Sequence, residues 1–166
     1  LTVAVVVSDN TRPVPYTGDS GILVPIIGEL INLGIRPELI AIIVATGTHR
    51  ELSEDEHRAM LDPSVFDRNI RIVCHDSRDE SNLDFLGVTS RGSKVFINKV
   101  YLESDVKILT GLVESHFMAG ASGGRKAVCP GLIGEDSTYI FHGPEFLSSP
   151  NAADLVLDGN PCHEEA

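Results

Sequence analysis

Leu39-Ile40-Ala41-Ile42-Ile43-Val44 places six apolar residues in succession, and Thr2-Val3-Ala4-Val5-Val6-Val7 comes close to doing the same. A strand with one wet face alternates polar and apolar residues, whereas an unbroken run must be covered on both sides. β-Branched residues suit extended backbone and fit poorly into a helix. Two such runs therefore predict central strands of a largely parallel sheet with helices on both faces, an α/β fold. The connections agree. Ile22, Ile26, Leu30 and Leu33 mark one helical face, closed by Gly34, and Pro25 fits if that helix starts close to Gly21. Ser53-Glu54-Asp55-Glu56 has the spacing of a capping box and starts a second helix, which Asp62-Pro63 ends. Ile70 to Cys74 and Val106 to Thr110 read as further strands, and Phe85–Val88 and Lys94–Ile97 flank a hairpin turn at Ser90-Arg91-Gly92-Ser93. Ser122 or Gly123 is expected to open a helix that Pro130-Gly131 interrupts. Asp154 to Asp158 fits helix and strand equally.

With 166 residues the chain has room for one core-bearing domain. Residues 1–158 are assigned to that domain, and residues 159–166 are read as the start of a linker or of a further element. Because the first residue already lies in a strand-like segment, the expectation is a piece of a longer chain. A net charge of −11 disfavours nonspecific contact with nucleic acid or anionic lipid. Any anionic ligand must then be held by local positive groups. Three widely spaced cysteines, Cys74, Cys129 and Cys162, form neither a disulfide framework nor a zinc-finger pattern, and point to a reducing cytoplasm.

In parallel α/β sheets, ligands sit beyond the C-terminal strand ends. The segments after the predicted strands are the reactive ones: Ser8-Asp9-Asn10-Thr11-Arg12, Ala45-Thr46-Gly47-Thr48-His49-Arg50, His75-Asp76, and Glu114-Ser115-His116 leading to Gly120-Ala121-Ser122-Gly123-Gly124-Arg125-Lys126. The opposite turns, such as Leu33-Gly34-Ile35-Arg36-Pro37, are plain connections. Taken singly, Arg12 can be a surface partner of Asp9, Asp9 a turn former, and His49 or His75 an ordinary loop or core histidine. Taken together they put acid, base and cation at one rim. Two imidazoles from different loops, His49 and His116, suit proton transfer on two faces of a substrate, as a racemase or epimerase needs. Gly123-Gly124 before a helix lets backbone N–H groups approach an anion, with Lys126 beside it. Neither a Walker sequence nor a Gly-x-Gly-x-x-Gly fingerprint is present. His142, beside Gly143-Pro144, reads as a loop histidine.

Asp9-Asn10-Thr11-Arg12-Pro13, Ala45-Thr46-Gly47-Thr48-His49-Arg50 and His116-Phe117-Met118-Ala119-Gly120-Ala121-Ser122-Gly123-Gly124-Arg125-Lys126, in this order, resemble the signatures of the nickel-dependent lactate racemase family. The likeness extends to Pro130-Gly131, His142 and Asn160-Pro161. It implies a nickel pincer nucleotide tethered through Lys126, with His142 as the protein's nickel ligand and Ser122, Gly123 and Gly124 near the nucleotide phosphate. A square-planar Ni(II) with soft ligands and one imidazole is chemically sensible. The resemblance makes His49 and His116 the two bases for a 2-hydroxy acid. It makes Arg12 the substrate-binding arginine, with Asp9 orienting Arg12 or the cofactor. Cofactor-synthesis enzymes and a further, C-terminal domain are implied as partners, and the segment without that domain is expected to fold but not racemise. Two other classes compete. One is a nonredox phosphate- or carboxylate-binding domain. The other is a zinc hydrolase using His49, His75 and His116, which lacks a His-Glu-x-x-His run. Every version requires residues 12, 49, 116 and 126 to converge on one hollow.

Overall fold

The computed structural model describes all 166 residues. Its centre is a four-stranded, wholly parallel sheet of β1 (Val3–Ser8), β2 (Ile40–Ala45), β3 (Arg71–Cys74) and β6 (Val106–Leu109), in the order β3-β2-β1-β6. Val3 pairs with Ile40 on one side and with Val106 on the other. The two unbroken apolar runs are thus the two inner strands, as their lack of alternation demands.

Successive side chains of a strand point to opposite faces. Val3, Val5 and Val7 with Ile40, Ile42 and Val44 face one layer, formed by α1 (Leu23–Asn32), α2 (Glu54–Met60) and α3 (Pro63–Asp67). Ala4, Val6 and Ile43 face the other, where they meet Leu132, Val100 and Tyr101 of α4 (Lys99–Glu103), and Ala127. Helices therefore cover both faces. Each fully buried Val, Ile or Leu contributes roughly 1.5–3 kcal/mol, so the two inner strands hold much of the folding energy.

Several local devices match their sequence signals. In α1, Pro25 sits in the first turn, where a missing N–H costs nothing. The helix ends in a Schellman arrangement: Gly34 is left-handed, its N–H donates to Ile31 O, and the Ile35 N–H donates to Leu30 O. Leu33, expected on the buried face, lies just past the last helical residue and is exposed; Leu30 is buried as expected, together with Leu23 and Ile27, while Ile22 and Ile26 are half-buried. Ser53 and Glu56 form the full capping box of α2. Asp62-Pro63 ends α2 and also starts α3, with Asp62 accepting from the Ser64 N–H and Pro63 at the first helical position. The hairpin β4 (Leu83–Val88) and β5 (Lys94–Asn98) lies outside the main sheet and joins the body through an Ile97–Ile133 bridge.

Two expectations are corrected. The helix expected at Ser122 or Gly123 is a four-residue 3-10 turn, Gly124–Ala127. Gly123 and Gly124 both have left-handed φ, +70° and +50°, and such consecutive residues cannot enter an α-helix. Asp154–Asp158 is irregular turn structure. Beyond α5 (Glu135–Phe141) and α6 (Pro144–Leu147), residues 159–166 carry a short docked helix, α7 (Pro161–Glu165). Asn160 is fully buried at its start, accepts from the Cys162 and His163 N–H groups, and donates to Met118 O and Val156 O. No helix is long and apolar enough to cross a membrane.

Candidate functional site

From β1 the chain moves outward through β2 and β3, then returns to add β6 on the other flank of β1. The order reverses between β1 and β6, and beyond the C-terminal ends there a crevice opens. A cavity of about 280 Å³ occupies this place. It is lined by Asp9 and Arg12 after β1, His49 after β2, and His116, Lys126 and His142 from later segments; Ser122 and Gly123 also line it. Residues 12, 49, 116 and 126 therefore do converge. Of the residues to which the family resemblance gives a site role, only Gly124 stands off the lining.

Tyr16 closes the floor of the reversal. It is buried, accepts from the Ser8 N–H at 2.7 Å, and donates to Thr110 Oγ1 at 2.9 Å; Thr110 in turn donates to Val6 O. This chain of hydrogen bonds ties the ends of β1 and β6 together. Nothing in the local sequence marks Tyr16, because its partners are 8 and 94 residues away.

His49 leaves β2 through a tight turn in which its N–H donates to Thr46 O. Gly47 has φ +57°, its N–H donates to Gly131 O at 3.0 Å, and an added Cβ would sit 3.3 Å from Pro130 O. Only glycine meets both demands easily. Thr46 donates its hydroxyl to the His75 carbonyl. The His49 Nδ1 lies 2.6 Å from Oδ2 of Asp9, a carboxylate that is 3 % exposed. With Nδ1–H donating to Asp9, Nε2 keeps its lone pair. The carboxylate thus orients His49 rather than Arg12. Arg12 is paired with Glu114 at 2.8 Å, a partner that sequence spacing of 102 residues concealed.

His116 sits in a small two-stranded turn, β7 (Ser115–His116) and β8 (Gly120–Ala121), clamped from outside by Asn160 on Met118 O. Its Nδ1 accepts from the backbone N–H groups of Ala119 at 3.2 Å and Met118 at 3.4 Å. Its Nε2 lies 2.8 Å from Lys126 Nζ. Burial, then the charges of Lys126 and Arg12, push His116 down to about 4. Lys126 falls to about 8 through burial and the neighbouring Arg12 and Arg125. His142 follows α5 (Glu135–Phe141) and reaches about 4 through burial and then Lys126 and His116. Its Nε2 is buried with no hydrogen-bond partner. The pocket thus gathers basic groups that repel each other's protons, within a chain of net charge −11. An anion placed among them reverses that repulsion.

The N–H groups of Gly123 and Gly124 donate to no protein acceptor. With only a 3-10 turn behind them, any anion affinity must come from these amides and Lys126, not from a helix dipole. His75 does not join the site: it is 1 % exposed, with ring nitrogens bonded to Asn98 and to Ile133 O. No three His, Cys, Asp or Glu side chains are grouped to hold a metal, so the three-histidine zinc reading has no ligand set.

Residues 1–154 match the family described as the lactate racemase N-terminal domain. Among curated proteins, the chain is 35% identical over 163 residues to the lactate racemase of Thermoanaerobacterium thermosaccharolyticum. It is 37% identical over 163 residues to that of Lactiplantibacillus plantarum. Each match covers 98% of this chain and 37% of the relative, so the chain spans little more than a third of their length. The solved lactate racemase apoprotein of T. thermosaccharolyticum superposes with a TM-score of 0.88 at 35% identity, over 99% of this chain and 38% of that one. A Thermotoga maritima protein shares the fold, with a TM-score of 0.80 at 23% identity, over 99% of this chain and 41% of that one.

Proposed function

The chain belongs to the lactate racemase N-terminal domain family, and on that premise we propose that it is the cofactor-bearing part of a 2-hydroxy acid racemase or epimerase that uses a nickel pincer nucleotide. One observation carries this reading. His49 braced by Asp9, His116 beside Lys126, Arg12, and the orphaned Nε2 of His142 all line a single cavity at the reversal of strand order.

The residues present suit such a cofactor. A buried imidazole nitrogen without a partner is costly unless something occupies it. The His142 Nε2 would ligate nickel, Lys126 Nζ would form the tether, and Ser122, Gly123 and Gly124 would lie near the phosphate. When bound, the group supplies a reversible acceptor for the substrate's α-hydride. The chain's own residues do the rest. Arg12 holds the substrate carboxylate by charge-assisted hydrogen bonds, exchanging it for Glu114. The lone pair of His49 Nε2 takes the hydroxyl proton while Asp9 holds Nδ1–H, and His116 serves the opposite face. With one imidazole toward each face, the chain's own residues would serve either configuration at the α-carbon. Segments outside this span, a C-terminal domain above all, complete the site, so residues 1–166 alone fold without racemising.

The test uses the full-length protein made together with the cofactor-synthesis enzymes. Intact mass shows an adduct in wild type and none in Lys126→Ala. His142→Ala keeps the adduct but loses most of its nickel by elemental analysis. An undiminished adduct in Lys126→Ala overturns the tether, and a nickel-free, unmodified wild type supports a plain anion-binding domain.

A further inference from the structure

The contact between His116 and Lys126 has a direction. Two backbone N–H groups, from Met118 and Ala119, aim at the lone pair of His116 Nδ1, so that nitrogen carries no proton. In a neutral imidazole the proton then belongs on Nε2. That Nε2–H points at Lys126 Nζ, 2.8 Å away, which can accept only as a free amine. An ammonium there would need a bare Nε2, and hence a proton on Nδ1 facing two N–H groups.

We propose that His116 has a second task, resting on the reading above: before any cofactor is joined, its Nε2–H holds Lys126 as a free amine, ready to attack the carbonyl carbon of an acyl phosphate beside the Gly123-Gly124 amides, the C–N bond forming as the acyl C–O bond breaks and the nitrogen's surplus proton leaving with the phosphate. Burial and the cations Arg12 and Arg125 disfavour a charge on Nζ, while Cys129 and Cys162 act weakly the other way and are themselves held as thiols by burial. Loss of the lysine proton at about 8 puts the free amine within reach near neutrality. The pairing also parks the imidazole. A lysine nitrogen joined to an acyl carbon has no lone pair to offer, so attachment ends the donation from Nε2–H that this pairing required.

Pyridoxal 5′-phosphate followed by borohydride tests this without the cofactor, because it carries both an aldehyde and a phosphate. Nζ attacks the aldehyde carbon, the carbinolamine loses water to form an imine, and borohydride delivers hydride to that carbon while water protonates nitrogen. Peptide mapping then locates the stable secondary amine. In the full-length protein made without the synthesis enzymes, at pH 7.5, Lys126 should label at least about tenfold faster than Lys94, Lys99 or Lys107, and inorganic phosphate should slow it. His116→Phe should move the pH profile of labelling up by about one unit, a tenfold loss at pH 7.5. His116→Gln, which keeps an N–H donor, should stay within about threefold of wild type. Nitrogen-15 shifts should report the Nε2–H tautomer of His116 in the unmutated protein. Equal labelling of all four lysines, an unshifted His116→Phe profile, a slow His116→Gln, or the Nδ1–H tautomer each overturns the proposal. Fast capture with no cofactor adduct would remove the racemase reading alone; slow capture with a normal adduct would remove this one alone.

Discussion

Asp9 divides its two oxygens between two tasks. Oδ1 accepts from the Thr11 N–H and hydroxyl and so shapes the loop, while Oδ2 holds His49. Asp9→Asn preserves the shape but offers an N–H₂ donor or a weaker acceptor to Nδ1. The imidazole then loses its fixed tautomer. In the cofactor-loaded enzyme kcat should fall about 10²–10⁴-fold in both directions with KM within a few-fold, measured by steady-state racemisation. A kcat within threefold of wild type would show that His49 does not depend on this carboxylate. Sequence alone offered Arg12 as the natural partner of Asp9. The structure gives Arg12 to Glu114, because the β6 loop brings a second carboxylate nearer.

The turn after β2 shows how a short element aims a side chain. Gly47→Ala puts a Cβ at a left-handed φ and against Pro130 O, so stability should fall by about 1–2 kcal/mol in chemical denaturation. Activity of the loaded enzyme should fall with it, because His49 is only two residues on. Ser53→Ala removes the capping box of α2 at a similar cost of about 1 kcal/mol, yet should leave kcat unchanged, since that helix lies away from the cavity lining. Equal loss of activity in both variants would mean that the turn acts through global stability alone. The capping box was readable because both partners lie within four residues. The 3-10 turn after Gly123 was not, since two consecutive left-handed glycines mimic the run-up to a helix in sequence.

Across the whole molecule, acid should unfold the chain in two separable phases. His75, His116 and His142 are all held below their ordinary range, chiefly by burial. The unfolded chain therefore binds more protons than the native one once pH drops below about 6.5, and stability declines from there toward about 4. Glu56 and Glu135 are held at about 2 by Arg50 and Arg78, so their contribution is intact at pH 4.5 and is lost only below it. Thermal melts between pH 7 and 3 should show both declines. His142→Phe should shrink the first and spare the second. A Tm that is flat from pH 6.5 to 4.5 would contradict the buried neutral imidazoles.

Periodicity and local chemistry were sufficient for the α/β class, the two inner strands, the first helix with its glycine stop, and the rim where reactive loops gather. Each depends on contacts a few residues apart or on the bare count of faces to be buried. Which strand lies beside which, the docking of α7, the Tyr16–Thr110 tie, and the pairings Asp9–His49, Arg12–Glu114 and His116–Lys126 depend on loop closures of up to about a hundred residues. Their energies are decided by which groups the assembled sheet brings within hydrogen-bond reach, and that distance is not written in any local stretch of chain.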